Sequence, residues 1–200
     1  MAVVFKLVSL NVKGISNFKK RRTMFNWRRK RKADIIFLQE THSTIKTDTQ
    51  WNNEWGAQIL TCHGSSNARG VAILIKNGFH CTIHQKILDP LGRFITLKAD
   101  IKDKTYVLIN VYAPNKDKDL ISFFNNLLAM LQRNLDTEDN IIIGGDINSP
   151  LNPEIDKKGR YTACIDCLQN QLDLVDIWRI KNPDTRSFTW SKVSKSFLPS

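Results

Sequence analysis

The chain has 200 residues, 42% of them apolar, which is enough for one domain with a substantial core. No run approaches the roughly 20 apolar residues of a membrane span. Its 30 basic and 19 acidic residues leave a net charge of +11, which favours a polyanionic partner. Four cysteines, Cys62, Cys81, Cys164 and Cys167, are too few for a disulfide framework in a chain of this length, so a reducing compartment fits better.

The N-terminal stretch MAVVFKLVSLNV alternates like a strand and lacks the basic region and cleavage site of a secretory signal. Phe5–Val12 is therefore expected to be a strand, and the protein soluble and intracellular. A helix over Phe18–Lys32 carries nine of the thirty basic residues, between Lys19 and Lys32, in KKRRTMFNWRRKRK. On that helix Phe18, Phe25 and Trp27 can turn inward while Lys and Arg cover the outer face. The density of one sign points to nucleic acid, with an anionic membrane surface as the alternative and nuclear import signalling as a second use.

Strand patterns recur at Asp34–Leu38, Ala57–Cys62, Val71–Ile75, Thr82–Leu88, Phe94–Asp100 and Tyr106–Val111, with GSSNARG and DPLGR as links. A helical pattern over Leu120–Asn134 leads to a strand at Asn140–Gly144, and a third helix spans Cys164–Ile177 ahead of a polar tail after Trp190. Cys164-Ile-Asp-Cys167 has CxxC spacing, but the other two cysteines are not closely paired and no His-x-x-x-His follows. It reads as core or surface filler.

The two halves echo each other. LVSLNV leads through the basic helix to ADIIFLQET, and YVLINVYAP leads through LISFFNNLLAMLQRNL to NIIIGGDIN. Each half is strand, helix, strand, and the strands end in polar groups: Asn11, Glu40, Asn110 with Tyr112, and Asp146 with Asn148. Two such units packed face to face make an α/β fold of two sheets back to back with helices outside, and bring those groups to one rim. Carboxylates at the ends of apolar strands are costly unless something offsets their desolvation. Acids and amides converging at one rim suit a hard cation with oxygen ligands; magnesium is typically held by one or two carboxylates and keeps waters and substrate phosphates. In a basic chain this points to phosphate-ester chemistry.

In order and spacing, SLNVKG, IIFLQETH, GVAILI, INVYAPN and IIIGGDINSP resemble the exonuclease–endonuclease–phosphatase superfamily, whose members include apurinic/apyrimidinic endonucleases and magnesium-dependent phosphatases. Within it, QETH, NVYAPN, GGDIN, LDLVDIWR and SFTW look most like the endonuclease domain that opens the second reading frame of LINE-type retrotransposons. The resemblance implies a four-layered α/β sandwich of two packed mixed sheets flanked by helices, and nicking of double-stranded DNA. It also implies Mg2+ as cofactor, with Mn2+ as a substitute, no membrane partner, a former fusion to a reverse transcriptase and work in the nucleus. Oligomeric state has no signature in the sequence.

Carried over by position, Glu40 would bind the metal and Asn11 would help hold metal or phosphate. Tyr112 would hydrogen-bond the scissile phosphate, Asp146 would orient or deprotonate the attacking water, and Asn148 would contact the phosphate in the transition state. Thr189 would lie near the DNA, and a hairpin at Ser191–Pro199, carrying Lys192 and Lys195, would press on the minor groove. Asn115 is a further DNA-contact candidate. Gly144 and Gly145 would let the backbone turn and phosphate approach closely.

The family closes its site with a later Asp and a Ser-Asp-His, and this sequence stops at Ser200 before either. His42, His63, His80 and His84 lack the context to substitute. The chain, read as one domain over 1–200 missing its last strands, is expected to nick DNA weakly or not at all. The competing readings are an abasic-site repair endonuclease, a phosphomonoesterase of the same superfamily and a DNA-binding remnant without catalysis.

Overall fold

The computed structural model describes residues 4–136, 139–150 and 163–185. Its elements, in order, are β1 (Leu7–Asn11), α1 (Phe18–Arg31), β2 (Ile35–Gln39), a 3-10 turn (Ile45–Thr47), α2 (Asp48–Trp55), β3 (Ile59–Cys62), β4 (Val71–Ile75), β5 (Cys81–Leu88), β6 (Phe94–Ile101), β7 (Lys104–Tyr112), α3 (Asp117–Asn134), β8 (Asn140–Asp146), α4 (Ala163–Gln171) and α5 (Ile177–Lys181). They fall into two compact units: Met1–Asn115 with Ala129–Asn148, and Lys116–Leu128 with Ser149–Ser200.

The first unit holds both sheets, ordered β1-β2-β4-β3 and β5-β6-β7-β8. β1 and β2 run parallel, with Leu7 opposite Ile35 and Asn11 opposite Gln39. β7 and β8 do the same, with Tyr106 opposite Asn140 and Tyr112 opposite Asp146. The remaining neighbours are antiparallel, so each sheet is mixed. Both parallel pairs are the strand-helix-strand repeats seen in the sequence, because a parallel return needs a crossover.

Between the sheets, Ile35, Phe37 and Ile73 pack with Ile95, Leu97 and Leu108, all buried. On the outer face of the first sheet, Ile36 and Leu38 meet Met24 and Phe25 of α1 and Trp51 and Trp55 of α2. β2 and β4 are buried at every residue, as expected for strands covered on both faces. Over the second sheet, Leu131 of α3 joins Ile87, Thr96 and Val107 around a small cavity. The layering is helix, sheet, sheet, helix.

In the second unit, Leu120, Phe124, Leu127 and Leu128 of α3 and Ile165 and Leu168 of α4 are buried. The Asp176 side chain caps α5 by accepting from the backbone N–H groups of Trp178 and Arg179. No helix among the described residues is long and apolar enough to cross a membrane.

Three details differ from the sequence reading. α2 lies where no helix was expected. The helix expected over Cys164–Ile177 is two helices, α4 and α5. On α1, Phe25 is buried and Trp27 half-buried as expected, but Phe18 is 50% exposed while Arg21 is 1% exposed.

Candidate active site

β1, β2, β7 and β8 all finish at one rim, and their last residues meet there. The Asn11 Nδ2 group donates to Glu40 Oε1 and to Asp146 Oδ2, each at 2.8 Å. One neutral amide thereby joins a carboxylate following β2 in the first sheet to one ending β8 in the second. Asp146 Oδ1 accepts from the Asn148 backbone N–H at 3.2 Å, and Asn148 Nδ2 donates to the Ala113 carbonyl at 2.7 Å. The Tyr112 hydroxyl donates to Glu40. Burial, then the charge and hydrogen bond of Glu40 and the charge of Asp146, push it up to about 12, against the opposing pull of Arg93. Tyr112 therefore stays a neutral donor at physiological pH.

The backbone holds these groups under constraint. Glu40 has φ +52°, a left-handed conformation that a non-glycine residue adopts at some cost. Its carbonyl accepts from Gly14 N–H at 2.6 Å, and Thr41 N–H donates to the Gly70 carbonyl at 2.9 Å. Beneath the rim, fully buried Asn110 accepts from Gln39 Nε2 at 2.7 Å and donates to the carbonyls of Leu38 and Ala72 at 3.0 and 2.9 Å. That amide pins β7 of one sheet to β2 and β4 of the other.

Two supports were not anticipated. His63 bridges Ser43 Oγ and Asp48 Oδ2, each at 3.0 Å, and Thr41 Oγ1 donates to Ser43 at 3.0 Å; with Ser43 fully buried, this chain fastens the segment after Glu40 to α2. Arg93 stands 5.7 Å from the Tyr112 ring centroid and donates to the Tyr112 carbonyl at 3.3 Å. Only the position of Arg93, directly after the DPLG turn at the same rim, signalled it in the sequence.

Of the expected site residues, Asn11, Glu40, Tyr112 and Asp146 come together and Asn148 adjoins Asp146. Asn115 is exposed in the link after β7. Thr189, Lys192 and Lys195 lie outside the described residues. The two glycines answer to packing: a Cβ on Gly145, whose φ is +139°, would lie 1.9 Å from the Val111 carbonyl oxygen, and one on Gly144 would lie 3.2 Å from the Phe37 ring. The positive φ at Gly145 agrees with the expected turn, and neighbouring backbone and the facing sheet leave no room for a Cβ at either position.

Two carboxylates around one amide, with a neutral phenol alongside, form an oxygen-rich acidic cluster at the rim. Among the described residues no three His, Cys, Asp or Glu side chains cluster as a metal cage. The sequence model of the endonuclease/exonuclease/phosphatase family matches residues 8–192. The chain belongs to this family.

A protein of transposon TX1 from Xenopus laevis, described as an uncharacterized 149 kDa protein, is 29% identical over 195 residues, covering 96% of this chain. The chain spans 15% of that protein's length. An AP endonuclease from Archaeoglobus fulgidus shares the fold with a TM-score of 0.73 at 21% identity, covering 96% of this chain and 80% of its own. The AP endonuclease LMAP of Leishmania major gives 0.65 at 16%, over 90% and 70%. D. rerio TDP2 complexed with a single-strand DNA product gives 0.56 at 14%, over 81% and 63%.

Proposed function

We propose that this chain carries the carboxylate site of a divalent-metal-dependent DNA phosphodiesterase, the target-nicking domain of a transposon-borne protein. The observation that carries the reading is the single Asn11 amide bonded to both Glu40 and Asp146. Membership of the endonuclease/exonuclease/phosphatase family supports hydrolysis of a phosphate ester, and similarity to the transposon TX1 protein supports the mobile-element setting.

Glu40, assisted by Asn11, would hold Mg2+ or Mn2+, and such a cation supplies charge neutralisation at the phosphate oxygens. Asp146, its two oxygens fixed by Asn11 and the Asn148 backbone, is an oriented acceptor for the proton of an attacking water. Tyr112, held neutral, donates to a non-bridging phosphate oxygen, and the Asn148 amide adds a second neutral donor.

Nicking of supercoiled plasmid, with and without abasic lesions, tests this on the chain expressed within its full reading frame. That protein should nick intact plasmid with Mg2+, and Glu40→Gln or Asp146→Asn should lower the rate by about 100-fold or more. Nicking indifferent to both substitutions would refute the assignment, and cleavage confined to abasic plasmid would transfer it to a repair-type enzyme.

A further inference from the structure

α1 presents a feature that the rim chemistry does not use. Phe18, its first residue, is 50% exposed, with the Arg21 guanidinium 5.9 Å from the ring centroid. Beside it runs a groove of about 280 Å3 lined by Phe18, Arg22, Phe25, Asn26 and Glu54. Glu54 does not make this groove anionic. Arg21 engages both its carboxylate oxygens at 2.7 Å, and that pairing holds the carboxyl below its ordinary range.

Arg22 lines the groove, Lys19 is exposed on the same side of the helix, and no carboxylate among the described residues forms an ion pair with either. A solvent-facing ring bordered by unpaired cations suits base stacking together with neutralised phosphates. A duplex hides its base faces along its length, whereas an unpaired strand presents them.

We infer that the groove between α1 and α2 binds an unpaired nucleic-acid strand, with one base stacked on Phe18 and the flanking phosphates on Lys19 and Arg22. The inference rests on the DNA-nicking reading for the origin of such a strand, since cleavage frees an end; the groove's own chemistry does not depend on it.

The test is fluorescence anisotropy with labelled 12-nucleotide oligothymidylate, its RNA counterpart and a 12-base-pair duplex, in divalent-free buffer. Phe18→Ala should weaken single-strand binding about tenfold and leave duplex binding, thermal midpoint and Mn2+ uptake at the rim unchanged. Lys19→Gln with Arg22→Gln should lower the slope of log affinity against log salt by about 1.4, the value for two phosphate contacts on a single strand. A stronger response with the DNA or the RNA oligonucleotide identifies the strand's source. Photocrosslinking of a 5-iodouracil oligonucleotide should label the peptide containing Phe18. Single-strand affinity untouched by Phe18→Ala, or lost equally for the duplex, overturns the inference. If Mn2+ uptake proves independent of Glu40 while the Phe18 effect holds, the groove stands and the phosphodiesterase reading falls.

Discussion

Arg21 sits within an unbroken basic run, yet it is among the most buried side chains of the protein. Its Nε and Nη2 pair with Glu54 at 2.7 Å, and Nη1 donates to the carbonyls of Ile15 and Ser16 at 3.0 and 2.8 Å. The planar fork makes this possible where Lys would not. Arg21→Met should destabilise the fold by about 3 kcal/mol in urea unfolding, because Glu54 loses its partner. The Glu54 carboxyl lies below its ordinary range in the folded state. Its contribution is therefore present above the unfolded pKa and lost as pH falls through the folded value, and Glu54→Gln should flatten the acid limb of stability against pH. Cys62 is the converse case: burial and the Asp89 charge push its thiol up to about 11, so iodoacetamide should label it slowly at pH 8 and faster only as pH nears that value. Nothing in KKRRTMFNWRRKRK separates Arg21 from its neighbours, because the group that buries it lies 33 residues away. Asn110 was more legible: the period of two along β7 sets it on the same face as Leu108 and Tyr112.

At the scale of elements, the strands were readable because alternation and β-branched runs survive in them, and Val71–Ile75 agrees to the residue. α2 was not, since DTQWNNEW offers only Trp51 and Trp55, four apart, as its inward face. The helix expected over Cys164–Ile177 breaks because Asp173 adopts φ +48° and Asp176 caps a new start; both are local polar effects that compete with helical spacing. β8 shows how a glycine pair sets an element's path. Gly145→Ala places a Cβ against the Val111 carbonyl at a φ that L residues rarely adopt, so it should destabilise by about 3 kcal/mol or more and displace Asp146. Loss of Tyr112–Asp146 register in amide-exchange protection would accompany that change, and an unaltered midpoint would contradict it.

At the scale of the molecule, two strand-helix-strand repeats supply the parallel strand pairs whose ends make the site. The repeats were visible in the sequence, and so was the convergence of Asn11, Glu40, Tyr112 and Asp146. The order of strands within each sheet was not, because pairing partners are chosen by packing across the sandwich, where β1 lies opposite β8 and β2 opposite β7. That arrangement brings Glu40 and Asp146 within reach of one amide from strands more than a hundred residues apart. The central claim is that Glu40, assisted by Asn11, holds a divalent cation beside Asp146. Titration with Mn2+ followed by electron paramagnetic resonance measures it on the chain as it stands. The account predicts one site, displaced by Mg2+ and weakened at least tenfold by Glu40→Gln in a protein of unchanged thermal midpoint. Mn2+ uptake identical in the wild type and Glu40→Gln would contradict it.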